Sequence, residues 1–308
     1  MRDFKKIDFF IETLEKACLL LTKTLGLDFF DSLLRAGNDL LHETNEQGLD
    51  EKNLAKLKQY YRKLHKETFL NEEIRLAMEL LIIKGFKHRF RYSLSLMTPD
   101  SICYLFAYII SRLASPNQTI IDMALGTGNL ISAIANYLPF ATNLIGIEKD
   151  PNLAHLAKLN IDLQGGIIDI HLNDCLDEFY LQGDFVIGDL DTKKEKEYFP
   201  YKVINRALEF LNSNGHFIFL IDNDFFNQDK SQEFKENFKG TMLGIIVLPD
   251  SLFQNNIVGK SILIGSRKQF NKFDMMALSL PEITEKEKLN EAIEQLDQWL
   301  KQVKGKVI

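Results

Sequence analysis

Ile121-Asp122-Met123-Ala124-Leu125-Gly126-Thr127-Gly128-Asn129-Leu130 is the stretch on which the reading of this chain turns. A β-rich run over 119–122 gives way to two glycines one residue apart and then to an amphipathic stretch over 130–138. Glycines at 126 and 128 let the backbone turn tightly and approach a ligand without interference from Cβ. A Gly-x-Gly alone is equally a simple tight turn, so its meaning depends on the surroundings.

Downstream, short β-rich runs at 143–147, 167–172, 185–187 and 216–221 alternate with helical patterns at 151–163 and 201–211. Strands alternating with helices predict βαβ units and a mostly parallel sheet covered on both faces. Two further runs, 242–248 and 260–266, are separated by a short linker and predict an antiparallel hairpin closing the sheet edge. Upstream, Phe10, Leu14, Ala17 and Leu21 recur at helical spacing, as do Leu54, Leu57, Tyr61 and Leu64. The first ninety or so residues therefore read as several helices, with 43–50 as a polar connection. A last helix is expected over 284–303, opened by a Thr284/Glu287 capping box and packed on its own chain through Leu289, Ile293, Leu296 and Leu300.

The bulk numbers agree with a globular chain. Its 308 residues are 45% hydrophobic and 26% charged, enough for a sizeable core in one large or two modest domains. The formal net charge of -6 argues against a general attraction for polyanions. Residues 1–97 nevertheless hold 17 Lys and Arg against 15 Asp and Glu, which leaves 37 - 17 = 20 against 43 - 15 = 28 for the rest. Any nucleic-acid contact is thus expected from the N-terminal part or its junction. Cys18, Cys103 and Cys175 show no metal spacing and fit reduced thiols, so no metal is expected. The apolar run at 102–110 is too short to cross a bilayer, and a soluble, cytoplasmic protein is expected.

Two carboxylates give the glycine loop its context. Glu148 ends the second strand about 20 residues past the loop, where a carboxylate can accept both hydroxyls of a ribose. Asp174 ends the third and can accept a hydrogen bond from an adenine amino group. Ligands of open α/β sheets bind outside the carboxyl ends of the strands, where all three features fall. Either carboxylate alone reads more readily as a solvated loop residue. Ile131 stands where the dinucleotide fingerprint wants a small residue, which makes a nicotinamide or flavin enzyme a distant reading.

Taken together, these residues resemble the N6-adenine DNA methyltransferase family, especially the modification subunits of type I restriction systems and their small stand-alone relatives. The resemblance covers roughly residues 90–268 in the family's motif order. Met97-Thr98-Pro99 is similar to its Thr-Pro element, and Asp122-Met-Ala-Leu-Gly-Thr-Gly to its Asp-Pro-Ala-Cys-Gly-Thr-Gly, with Met123 and Leu125 as departures. The block from Val247-Leu-Pro-Asp-Ser-Leu-Phe253 through Ser261-Ile-Leu-Ile264 is its most distinctive match. The resemblance implies a class I methyltransferase (Rossmann-like) fold. Its seven-stranded, mostly parallel sheet carries a C-terminal antiparallel hairpin and follows an all-helical domain, with residues 1–90 helical and 91–308 cofactor-binding. It implies S-adenosylmethionine as cofactor, with 126–128 on the methionine portion, Glu148 on the ribose, Asp174 on the adenine and Thr98 near the methionine carboxylate. Asp122, Ala124, Gly126, Thr127, Gly128, Asn129, Lys149, Cys175 and Asp189 complete the implied cofactor contacts.

The family positions its acceptor nitrogen with Asn/Asp-Pro-Pro-aromatic after the fourth strand, the aromatic stacking on a flipped base. Here that place reads Asp189-Leu190-Asp191-Thr192. Asp189 preserves the first acceptor, both prolines are absent and Thr192 replaces the aromatic. The candidate catalytic residues are Asp189 with Tyr198 and Phe199, the next aromatics along the chain, which fold back over the site only if the charged run 193–197 permits it. A stacking contact is worth about 1–3 kcal/mol, so its loss predicts altered or absent adenine methylation. The alternatives are a catalytically silent cofactor-binding module working through protein partners, and a methyltransferase for a non-DNA amine.

After Arg267 about forty residues remain, one strand-like stretch and one helix, so DNA specificity would come from a partner or from the helical domain; a protein partner or a homodimer is the expected association. Lys87, Arg89 and Arg91, interleaved with Phe86, Phe90 and Tyr92, are candidates for holding phosphates. Lys52, Lys56, Lys58, Arg62, Lys63 and Lys66 on one predicted helix form a second candidate. The solvated face of a helix is the more ordinary reading of either.

Overall fold

A computed structural model of the protein describes residues 2–42, 48–87, 97–190, 198–253, 259–270 and 273–307. The helices are α1 Phe4–Leu25, α2 Phe29–His42, α3 Glu51–His65, α4 Asn71–Phe86, α5 Asp100–Leu113, α6 Asn129–Tyr137, α7 Pro151–Leu163, α8 Phe199–Phe210, α9 Ser231–Asn237 and α10 Lys286–Val307. The strands are β1 Thr119–Asp122, β2 Asn143–Ile147, β3 Asp169–His171, β4 Gly183–Asp189, β5 Leu211–Asp222, β6 Thr241–Val247, β7 Lys260–Ser266 and β8 Met276–Ser279. The chain divides into two compact units. One comprises Met1–Met97, Gly126–Asn136 and Asp150–Ile168; the other comprises Thr98–Leu125, Tyr137–Lys149 and Asp169–Ile308.

The first unit is helical. Asp3 caps α1 through its side chain, and Gly26 ends that helix in the left-handed conformation, φ 68°, that favours glycine. The heptad-like apolar positions of α1 lie inward: Phe10, Leu14, Ala17 and Leu21 are buried, as are Leu57, Tyr61 and Leu64 of α3. Met78, Leu81 and Ile82 of α4 and Leu156 and Leu159 of α7 join the same core. At Gly37 of α2 a Cβ would come within 2.6 Å of Leu159, so the absence of a side chain there permits the close approach of α2 and α7. The buried carboxylate of Glu73 accepts from the backbone N–H of Asp3 at 2.7 Å and of Leu70 at 2.9 Å, joining the starts of α1 and α4.

The second unit is built on one eight-stranded sheet in the order β3-β2-β1-β4-β5-β7-β6-β8. Strands β1 to β5 run parallel to one another, and β7 is antiparallel to both β5 and β6. This is the class I methyltransferase fold, mostly parallel and with the expected β6–β7 hairpin. Two details correct the sequence expectation. Among the described residues the sheet has eight strands rather than seven, and the hairpin does not close the edge, because β8 adds parallel to β6. The terminal helix begins at Lys286 and packs on α5 of its own chain. There Asp297 pairs with Arg112 at 2.8 Å and accepts from Tyr108, and Leu296, Leu300 and Val303 are buried.

Candidate functional site

Parallel pairing brings the carboxyl ends of the central strands level. Asp122 lies opposite Gly146 of β2 and Ile187 of β4, so Asp122, Glu148 and Asp189 emerge from neighbouring strands at one edge of the sheet. The chain leaving β1 stays tethered on both sides, since Met123 N–H donates to Ile187 O at 2.9 Å and Leu125 N–H to Ile147 O at 3.1 Å. At Gly146 a Cβ would fall within 2.6 Å of the Leu125 side chain, so the loop lies close on β2.

Asp122 is fully buried. Its Oδ1 accepts from Ala124 N–H at 3.0 Å, while its Oδ2 has no hydrogen-bond partner among the described residues. Burial, with a smaller push from the charges of Glu148 and Asp189, raises its pKa from 3.8 to about 7. A buried carboxylate with one unmet oxygen is expensive, which makes the absence of a partner informative.

Asp189, at the end of β4, is held twice. Thr98 Oγ1 donates to its Oδ2 at 2.9 Å, and Lys260 Nζ pairs with its Oδ1 at 3.0 Å. Thr98 stands just before α5 and Lys260 opens β7, so two segments far apart in sequence converge on one carboxylate. Asp174 makes an exposed ion pair with Lys149 at 3.5 Å and accepts from Leu176 N–H at 3.1 Å. Cys175 is buried among Met123, Val186 and Leu190, and burial pushes its thiol up to about 12, which makes it a core residue rather than a reactive one. The Glu148 backbone N–H donates to His171 O at 3.1 Å.

Tyr198 and Phe199 sit at the start of α8. The Tyr198 ring lies edge-on to Tyr201 at 4.9 Å and to Phe225 at 5.9 Å, in an aromatic cluster that also takes in Phe234. Its hydroxyl is buried without a partner among the described residues. Burial, then the charges of Asp222 and Asp224, pushes the phenol above its usual range.

The helical unit contains the rest of the loop. Gly126 and Gly128 adopt φ 54° and 73°, and a Cβ at Gly128 would sit 3.2 Å from that of Ala157. Thr127 Oγ1 donates to Met97 Sδ at 3.1 Å, and Asn160 donates to Thr127 O at 3.2 Å. Asn129 accepts from Arg75 Nη1 at 2.5 Å. Arg75 is fully buried and paired with Glu72 at 2.6 Å and Glu79 at 3.3 Å. Glu72 accepts from Asn136, which also donates to Gln164, and Gln164 in turn donates to Asn160. Both ends of this buried polar chain thus finish on residues 127–129.

Lys260 and Arg75 were not among the expected site residues. Arg75 had a local sign, glutamates three residues before and four after it on an otherwise apolar helix. Lys87 is exposed just past α4, whereas Arg89 and Arg91, like Asp191, Thr192 and 193–197, lie outside the described residues. Among the described residues no group of three or more His, Cys, Asp or Glu could hold a metal ion, and no helix is long and apolar enough to cross a membrane.

Fold and strand-end site together define the class: a chain with the class I methyltransferase fold. Comparisons with known proteins bring it closer to particular relatives. Residues 9–86 match the YtxK N-terminal helical domain. The Bacillus subtilis (strain 168) protein YtxK is 25% identical over 95% of this chain and 97% of its own length. A solved Listeria monocytogenes protein described as a class I S-adenosylmethionine-dependent methyltransferase superposes with a TM-score of 0.83 at 24% identity, over 97% of this chain and all of its own. The type I restriction-modification methyltransferase subunit of Streptococcus thermophilus gives 0.65 at 16% identity, over 88% of this chain and 70% of its own.

Proposed function

We propose that the chain is an S-adenosylmethionine-dependent methyltransferase related to the adenine-N6 DNA methylases, with a rebuilt acceptor position. The helical domain is assigned to residues 1–90 and the cofactor-binding domain to 91–308. The observation that carries the reading is the unmet Oδ2 of buried Asp122 at the end of β1. A ligand that brings a cationic amino group to this oxygen would satisfy it and restore the ionised carboxylate. The amino-acid tail of S-adenosylmethionine supplies such a group, and its sulfonium supplies the methyl. In this reading Glu148 takes the ribose hydroxyls, Asp174 the adenine amino group, and Gly126 to Asn129 lie along the methionine portion. Thr98, Ala124, Lys149 and Cys175 complete the surroundings.

Asp189 is assigned the acceptor side. Held by Lys260 and Thr98, its carboxylate is assigned to accept from an approaching amine. The same pairing favours a second reading, a cofactor-binding module without transfer, because Thr98 and Lys260 already engage both carboxylate oxygens. DNA, a protein partner and a homodimer are the proposed associations. Calorimetry with S-adenosylmethionine tests the cofactor assignment: micromolar binding lost in Asp122→Ala is expected, and no binding would overturn it. Incubation with labelled cofactor and DNA, with Asp189→Ala as control, separates enzyme from module. Label transfer that Asp189→Ala abolishes supports catalysis; cofactor binding without transfer supports the module.

A further inference from the structure

Helix α3 carries a stripe of positive charge that the proposed chemistry does not use. Lys52, Lys56, Lys63 and Lys66 are all exposed. At about 100° per residue they fall within about 80° of arc, on the far side of the helix from Leu57, Tyr61 and Leu64, which it buries in the core. At 1.5 Å per residue the stripe runs about 21 Å. Gln59 lies on the same arc, and within 51–67 the acidic residues are Glu51 and Glu67, one at each end.

None of these four lysines makes an ion pair or hydrogen bond among the described residues. Some exposed lysines elsewhere do, as Lys16 with Glu12, Lys158 with Asp162, Lys288 with Glu285 and Lys301 with Asp297, and the side chains of others such as Lys5, Lys23, Lys239 and Lys286 do not; what sets α3 apart is four such lysines on one arc of one helix. Helix stability does not account for the stripe either. Cations favour the carboxyl end of a helix, where Lys63 and Lys66 stand, but Lys52 and Lys56 lie in the first two turns, at the positive end of the dipole.

We propose that this face of α3 is a docking surface for the phosphate backbone of double-stranded nucleic acid, read without regard to sequence. Lysines are point charges suited to phosphate rather than to bidentate reading of a base edge. Repeated cations along a straight helix match the repeated charges of a duplex strand. A membrane surface fits less well, because a helix lying in a bilayer interface inserts its apolar face, and the apolar face of α3 is committed to the protein core. With a net charge of -6 on the chain, polyanion binding is confined to this stripe rather than spread over the molecule. The inference deepens the proposed nucleic-acid reading by naming its surface. It is measured by binding alone, without cofactor, so a failure of methyl transfer does not touch it.

The test is fluorescence anisotropy of a labelled 20-base-pair duplex with the full chain, titrated over salt. Three or four phosphate contacts give a slope of log affinity against log salt of roughly -3 to -4. Changing Lys52, Lys56, Lys63 and Lys66 together to Gln should cut affinity about tenfold or more and flatten the slope by about three. Helical content by circular dichroism should be unchanged. A control with Lys16, Lys158, Lys288 and Lys301 changed to Gln should keep the wild-type slope. Absence of duplex binding at low salt, or a stripe variant that binds like wild type, overturns the proposal. So does retention by phosphatidylglycerol vesicles without duplex binding, which would make the face a membrane contact.

Discussion

Replacing Asp122 with Asn is expected to stabilise the ligand-free protein above neutral pH and to weaken cofactor binding. The Asp122 carboxyl is raised from 3.8 to about 7 by burial and by the charges of Glu148 and Asp189. Because the folded pKa lies above the unfolded one, the group's stabilising contribution is complete below pH ~3.8 and is lost as pH rises through about 7. About three units correspond to a loss of roughly 4 kcal/mol at most, worth about 1.4 kcal/mol each. Asparagine retains the acceptor for Ala124 N–H and, like the protonated acid, is neutral, with an NH2 in place of the unmet O–H. The two proteins should therefore match near pH 4 and diverge towards pH 8, where the variant is the more stable by up to ~4 kcal/mol. Urea unfolding at pH 4.5, 6 and 8 measures the divergence. Parallel curves, or a variant less stable at pH 8, would refute the argument. Binding supplies the converse. A cation brought to Oδ2 releases the carboxyl proton, so calorimetry of the wild type at pH 6.5 in buffers of different ionisation heat should show proton release that the variant lacks. The variant should also bind about tenfold or more weakly, since a charge-assisted hydrogen bond contributes about 1.5–3 kcal/mol.

Three further outcomes are expected. His216 is buried on β5 against Phe185, and burial lowers its pKa from 6.5 to about 4; its contribution is present above pH ~6.5 and is lost as pH falls towards 4, a cost of ~3 kcal/mol. His216→Phe should remove that part of the acid limb in urea unfolding at pH 7 and 4.5, and an unchanged limb would contradict it. Arg75→Met should destabilise the protein by about 3–5 kcal/mol, because Glu72 and Glu79 lose a buried counter-charge; a smaller change in thermal unfolding would show that water replaces the guanidinium. Gly128→Ala should cost about 1–2 kcal/mol from the left-handed backbone and further from the contact with Ala157. Its cofactor affinity should fall while that of Gly165→Ala, equally left-handed but with open space for a Cβ, should not.

Much of this architecture was legible because periodicity is a local property. The inward residues of α1 and α3 fall where 3.6-residue spacing puts them, and the central strands announce themselves as short β-branched runs. What local patterns missed depends on partners. The expected helix over 201–211 and strand over 216–221 leave 212–215 unassigned, yet these residues lie within β5, whose pairing with β4 shifts register between Gly183 and Phe185. Met276–Ser279 answers to the strand-like stretch expected after Arg267, but its pairing with β6 was not visible, because four residues carry no sign of which edge they join. The seven residues of α9 give barely two turns of pattern. At the site, the carboxylates of β1, β2 and β4 were visible because strand ends dictate where they point. Lys260 was not, because its link to Asp189 spans 71 residues, nor was Arg75, 54 residues from Asn129.

The eighth strand has a bearing on how the chain can be cut. Its pairing to β6 occupies a row of backbone groups that the hairpin alone would leave bare, and Trp299 of α10 packs within 2.9 Å of where a Cβ of Gly244 would stand. A chain shortened after Arg267 would keep every proposed cofactor contact and still present β6 as an open template for a neighbouring chain. The same cut would uncover the apolar side chains against which Leu296, Leu300 and Val303 are buried, so solubility, rather than any proposed cofactor contact, is what it is expected to take away first.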